Sequence, residues 1–143
     1  VIEFPFKTKV KNEEGTKDLA KQLVQVFQVG DIICLNGNLG TGKTYFVKEF
    51  CKHFEIENVS SPSFSIVNEY VGKIKVNHFD FYRIKNVNEL YDIGFSDYIL
   101  EGDSMVFIEW ANLFTEVLPK NYFEITIKLI DENIREFELI KHE

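Results

Sequence analysis

The segment Gly-Asn-Leu-Gly-Thr-Gly-Lys-Thr at 37–44 has the residue types and spacing that hold phosphate: Gly, four residues, Gly, Lys and a hydroxyl residue. Each conspicuous member has a task. Gly37, Gly40 and Gly42 allow backbone conformations in which successive N–H groups turn inward on phosphate oxygens with no Cβ in the way. A helix that follows aims its positive dipole end at the same anion. Lys43 adds a full charge for the β and γ phosphates, and the Thr44 hydroxyl is a hard oxygen ligand suited to magnesium. The alternative, a glycine-rich turn, fits less well because the segment lies between a buried-strand pattern and an amphipathic-helix pattern.

A phosphate loop needs an acid at the end of a neighbouring strand to hold magnesium. Two carboxylates qualify. Glu109 closes Met-Val-Phe-Ile, and Asp80 closes Ile-Lys-Val-Asn-His-Phe. The more apolar approach to Glu109 is that of a central strand, so magnesium is assigned there, through water. Asp80 is then a candidate to orient or deprotonate the attacking water, or to hold a magnesium-bound water. His78 shares a strand face with Asp80, but no third ligand at suitable spacing supports a transition-metal site. The hydroxyl-rich Ser-Ser-Pro-Ser-Phe-Ser at 60–65 reads equally as a loop stiffened by Pro62 or as a switch whose Ser61 or Ser63 senses the γ-phosphate and magnesium.

The elements that must position these residues are legible as patterns. Leu19, Ala20, Leu23, Val24 and Phe27 recur at helical spacing, with Thr16 as N-cap and Gly30 as terminator. Ile-Ile-Cys-Leu at 32–35 is a continuous apolar run of the kind buried on both faces. Phe46, Val47, Phe50, Cys51 and Phe54 mark a second helix from near Lys43 to about His53, so Cys34 and Cys51 are core residues. From Ser63 the period falls to two, predicting a hairpin around Gly72. Residues 86–101 carry mixed helical signals, 105–110 a second buried strand, and the tail two antiparallel strands about 131–133. The expected fold class is α/β: a single domain over 1–143 with a central, partly parallel sheet, added antiparallel strands and flanking helices.

Composition narrows the functional classes. A chain of 143 residues that is 45% apolar with 14 Phe is the right size for one domain with an aromatic-rich core, not a disordered one. No apolar run reaches the roughly 18 residues of a membrane span, and the first residues lack a secretory pattern, so a cytoplasmic protein is expected. With 16 Lys and Arg against 23 Asp and Glu, the net charge of −7 opposes unaided binding of DNA or RNA. Any RNA is expected to be engaged through a partner.

Five ordered blocks, namely 13–20, 35–44, 59–70, 78–83 and 107–110, resemble the signatures of the TsaE (YjeE) family, P-loop ATPases of tRNA threonylcarbamoyladenosine biosynthesis. Ser63 stands where the family usually has Thr, and Ala20 where Gly is common. The resemblance implies a P-loop NTPase domain that binds ATP and Mg2+. It implies phosphate contacts from Asn38, Leu39, Gly40, Thr41, Gly42, Lys43 and Thr44, with magnesium at Thr44 and Glu109 and an essential carboxylate at Asp80. It places Tyr82, Arg83 and Trp110 around the site or on a partner surface, and Thr16 and Arg135 beside the adenine. It further implies that the TsaD and TsaB proteins are partners, reset by ATP hydrolysis, with tRNA reached only through them.

Three other classes share the loop. A small-molecule kinase clamps acceptor and phosphates with several arginines, whereas Arg83 and Arg135 are the only two in this chain. A nucleotide-sensing regulatory module would bind ATP and scarcely hydrolyse it. A guanine-specific switch lacks its Asn-Lys-Xaa-Asp reader here.

Overall fold

The computed structural model describes residues 2–62 and 65–143. Strand β1 (Phe6–Val10) leads to helix α1 (Glu13–Val24), strand β2 (Ile32–Asn36) and helix α2 (Lys43–Lys52). The hairpin β3 (Val67–Val71) and β4 (Lys75–Asp80) follows, then short helices α3 (Asn88–Asp92) and α4 (Phe95–Glu101). Strand β5 (Met105–Glu109) and two 3-10 turns precede the closing hairpin of β6 (Tyr122–Leu129) and β7 (Arg135–His142).

The seven strands of the described residues form one sheet in the order β1-β7-β6-β2-β5-β4-β3. Its centre, β6-β2-β5-β4, is parallel throughout, and β3, β7 and β1 join antiparallel at the sides. The parallel pairing of β2 with β5 agrees with the two apolar runs, and both strands are buried almost end to end. Strands β4 and β6 correct the expectation that they are only antiparallel additions. Each is one arm of a hairpin and also lies parallel to a central strand, because a strand has two edges and side-chain alternation reports only which face is covered. Strand β1 was not anticipated. Its lysines at 7 and 9 alternate with partly buried residues, a charged edge that discourages further pairing.

Helix α1 starts earlier than the apolar stripe suggests. Its N-cap is Asn12, whose side chain accepts the Gly15 N–H at 3.1 Å. Thr16 is therefore not a cap but a buried residue one turn in, and the helix ends at Val24 rather than at Gly30. Gly30 instead ties the turn before β2 to the Ser104 carbonyl at 2.9 Å. Helix α2 has the expected bounds, capped at its end by His53. Helices α1 and α2 cover one sheet face, where Leu23, Phe46 and Phe50 meet Ile33, Phe107 and Phe137. On the other face Leu90 and Phe95, from α3 and α4, close over Cys34, Phe79 and Ile108. Both cysteines are buried, and burial pushes the Cys51 thiol up to about 12. Among the described residues no helix is long and apolar enough to cross a membrane.

Candidate functional site

The parallel strands β2, β4 and β5 deliver their C-terminal ends to one side of the sheet, the side on which open α/β sheets place ligands. From β2 the chain enters the 37–42 loop, where Gly40 (φ 81°) and Gly42 (φ 103°) take left-handed conformations that a Cβ would strain. Gly42 is also the N-cap of α2 and brings no side chain to it, so the first turn has no side-chain acceptor over it. Lys43 folds back over this loop. Its ammonium donates to the carbonyls of Gly37 at 2.7 Å and Asn38 at 3.0 Å, and lies 4.4 Å from the centre of the Trp110 ring. Two of its three hydrogens are thereby fixed. Burial lowers the Lys43 pKa from its ordinary value, while the charges of Glu109 and Asp80 act in the opposite sense.

Thr44, one residue on, donates its hydroxyl hydrogen to Glu109, with Oγ1 2.9 Å from Oε1 and 2.7 Å from Oε2. The Thr44 oxygen is left with lone pairs for a ligand. Glu109 is buried at 3% exposure, and His78 Nε2 meets its Oε2 at 2.6 Å. The β4–β5 register sets Asp80 directly beside Glu109. Asp80 Oδ2 accepts the Ser61 hydroxyl at 3.0 Å and Oδ1 accepts the Tyr82 N–H at 2.9 Å. Trp110 follows in a left-handed conformation (φ 59°), unusual for a bulky residue. That conformation lays its ring between Lys43 and Tyr82, whose ring centre is 4.9 Å away.

Most residues singled out in the sequence thus share one cleft of about 470 Å³. Leu39, Gly40, Gly42, Lys43, Thr44, Ser61, Asp80, Tyr82, Arg83, Glu109 and Trp110 all line it. Gly37 and Asn38 do not. They line a hollow beside the end of β6, which Leu39 also lines, and their carbonyls hold the Lys43 ammonium that reaches the cleft. Thr16 and Arg135 line a separate side pocket of about 160 Å³ with Glu13, Thr41 and Phe137. Gly42 and Tyr45 line both spaces, so the two adjoin. Arg135 Nε is held by the Thr41 carbonyl at 2.7 Å. Ser63 lies outside the described residues.

Two residues carry more than the sequence reading gave them. Tyr45, between cleft and side pocket, follows the motif by one position, which was its only signal. His78 points to Glu109 rather than pairing with Asp80 as a metal ligand, and among the described residues no group of three or more His, Cys, Asp or Glu could hold a metal. The donor set beside the loop does fit magnesium, being a hydroxyl and a carboxylate already in contact, both hard oxygens.

A glycine loop between a central parallel strand and a helix, with an acid at the end of the adjacent strand, defines a P-loop NTPase domain. The family model for Threonylcarbamoyl adenosine biosynthesis protein TsaE matches residues 10–137. This chain belongs to the TsaE family. The tRNA threonylcarbamoyladenosine biosynthesis protein TsaE of Rickettsia felis is 40% identical over 129 residues, covering 88% of this chain and 74% of the relative. The protein of the same name from Bacillus subtilis is 37% identical over 132 residues, covering 91% and 82%. The crystal structure of Bacillus subtilis YdiB superposes with a TM-score of 0.77 at 29% identity, over 100% of this chain and 89% of that one.

Proposed function

We propose that this chain is a cytoplasmic, magnesium-dependent ATPase of tRNA threonylcarbamoyladenosine biosynthesis, which binds the TsaD and TsaB proteins and resets their assembly by hydrolysing ATP. The observation that carries the reading is the joint pose of Lys43 and Thr44. The first is pinned to its own loop and the second to Glu109, so charge and metal-binding oxygen converge on one cleft. Such preorganised groups stabilise transferring phosphoryl charge without reorganising during the reaction.

In this reading the backbone of 38–44 holds the phosphates, and Lys43 neutralises charge on the β and γ groups. Thr44 and Glu109 hold magnesium, which when bound draws charge from the phosphate oxygens. Asp80 orients the attacking water, and its bond to Ser61 couples that water to the 60–62 segment. The base lies in the pocket of Thr16 and Arg135, reached past Tyr45. Tyr82, Arg83 and Trp110, on the rim, are the surface a partner orders. Membership of a family named for this tRNA modification supports the pathway, and the charge of −7 supports access to tRNA through partners alone.

Phosphate release measured with the chain alone, with small-molecule acceptors and with TsaD and TsaB tests the proposal. Slow release alone and clear stimulation by the two proteins are expected. Rapid transfer to a small acceptor, or tight binding of bare tRNA, contradicts it.

A further inference from the structure

His78 is completely buried on β4, the penultimate strand of the sheet, held from both sides by β3 and β5. Its Nε2 is 2.6 Å from Glu109 Oε2, while Nδ1, equally buried, has no hydrogen-bond partner among the described residues. Only one placement of a single ring proton suits both facts. On Nδ1 it would be sealed away without an acceptor, and the Nε2 lone pair would oppose a carboxylate oxygen at contact distance. On Nε2 it satisfies the short contact and leaves Nδ1 as a bare acceptor, the less costly of the two orphans.

Glu109 needs that donor. It is a buried carboxylate whose other side-chain hydrogen-bond partner among the described residues is the Thr44 hydroxyl, which reaches across both of its oxygens. The Thr44 contact alone does not fix which oxygen is turned towards the cleft. A donor on a rigid neighbouring strand does, because the β4–β5 register fixes His78 two residues before the Asp80–Glu109 pair, on the same face of the sheet.

We propose that His78 is a positioning residue for the metal site: its Nε2–H holds Glu109 Oε2, leaving Oε1 and the Thr44 oxygen as the pair presented to magnesium. This rests on the reading of the cleft as a magnesium–nucleotide site. Outer partners of this kind are worth roughly ten- to a hundredfold in metal affinity. His78 touches neither nucleotide nor metal, so its loss acts on the magnesium requirement and not on metal-free nucleotide binding.

Two substitutions of nearly equal length and volume separate the hydrogen bond from packing. His78→Met fills the space without a donor, and His78→Gln can place an amide N–H near the lost Nε2–H. ATP affinity is measured by calorimetry across a magnesium titration and again in EDTA, with melting curves of the metal-free proteins alongside. His78→Met is expected to raise the half-effective magnesium concentration about tenfold. His78→Gln is expected to recover most of that shift, and both should match wild type in EDTA. An unchanged magnesium requirement in His78→Met, or equal shifts in the two variants, overturns the inference. If wild-type ATP affinity ignores magnesium, the underlying reading of the cleft falls with it. Should either variant fail to fold, nitrogen-15 NMR of histidine-labelled wild type decides: a proton on Nε2 with bare Nδ1 is expected, and the opposite tautomer refutes the proposal.

Discussion

The Thr44 hydroxyl has one hydrogen, and Glu109 takes it. That single bond separates the roles of the two acids, because Asp80, the neighbour of Glu109 in the sheet, spends its oxygens on Ser61 and the Tyr82 N–H instead. Glu109→Ala is therefore expected to raise the magnesium concentration needed for tight ATP binding. Asp80→Ala is expected to leave that requirement in place and slow single-turnover hydrolysis about a hundredfold, since placing the water matters chiefly in the transition state. Affinity measured against magnesium beside single-turnover rates separates the two, and a reversed pattern exchanges the roles. Trp110 makes a different prediction from its backbone. At φ 59° any L side chain is strained, so Trp110→Gly should be more stable to urea than Trp110→Ala by about 1 kcal/mol, the reverse of the usual order. At this scale the sequence was most legible where the backbone itself imposes spacing, as at Gly40, Gly42, Lys43 and Thr44. The His78–Glu109 contact was not legible, because it depends on which strands neighbour and in what register.

At the scale of elements, the hairpin of β3 and β4 is fastened to the turn that follows α2 by the Lys73 N–H, which donates to the Phe54 carbonyl at 2.8 Å. Gly72 lies so close to that carbonyl that an added Cβ would collide first with backbone, which cannot swing aside, and then with the Ile56 side chain. Gly72→Ala should accordingly cost about 1–3 kcal/mol in denaturant unfolding, and a neutral result would mean that the hairpin can shift away from α2. Periodicity revealed this hairpin, helix α2 and the buried strands, since each has one uninterrupted pattern. It misplaced the start of α1, because Asn12 and the acidic Glu13 and Glu14 precede the apolar stripe that marks the helix. It passed over β1, an edge strand whose Lys7 and Lys9 resemble surface loop as much as sheet.

Across the whole molecule, the sheet centre β6-β2-β5-β4 is what brings separate parts of the chain to one cleft: the loop after β2, Asp80 from β4 and Glu109 from β5. The β2–β5 pair was foreseeable from two fully apolar runs, and with it the meeting of Thr44 and Glu109. The parallel contacts of β4 and β6 were not, because a hairpin pattern is complete without them. The flank bearing Thr16 and Arg135 likewise required α1 and the start of β7 to be seen together, and it adjoins the cleft through Gly42 and Tyr45, as the proposed nucleotide site requires.

Calorimetric titration of magnesium ATP into the wild-type chain and into Lys43→Ala tests the central claim most directly, because that ammonium is pinned over the loop yet belongs to neither hydrophobic core. The wild type is expected to bind one ATP per chain, more tightly with magnesium than without. Lys43→Ala is expected to lose about tenfold or more in affinity, the loss of a charge-assisted hydrogen bond to phosphate, while its unliganded melting curve stays close to that of the wild type. Equal affinity in the two proteins, or no binding by the wild type, would contradict the assignment of this loop as the phosphate site.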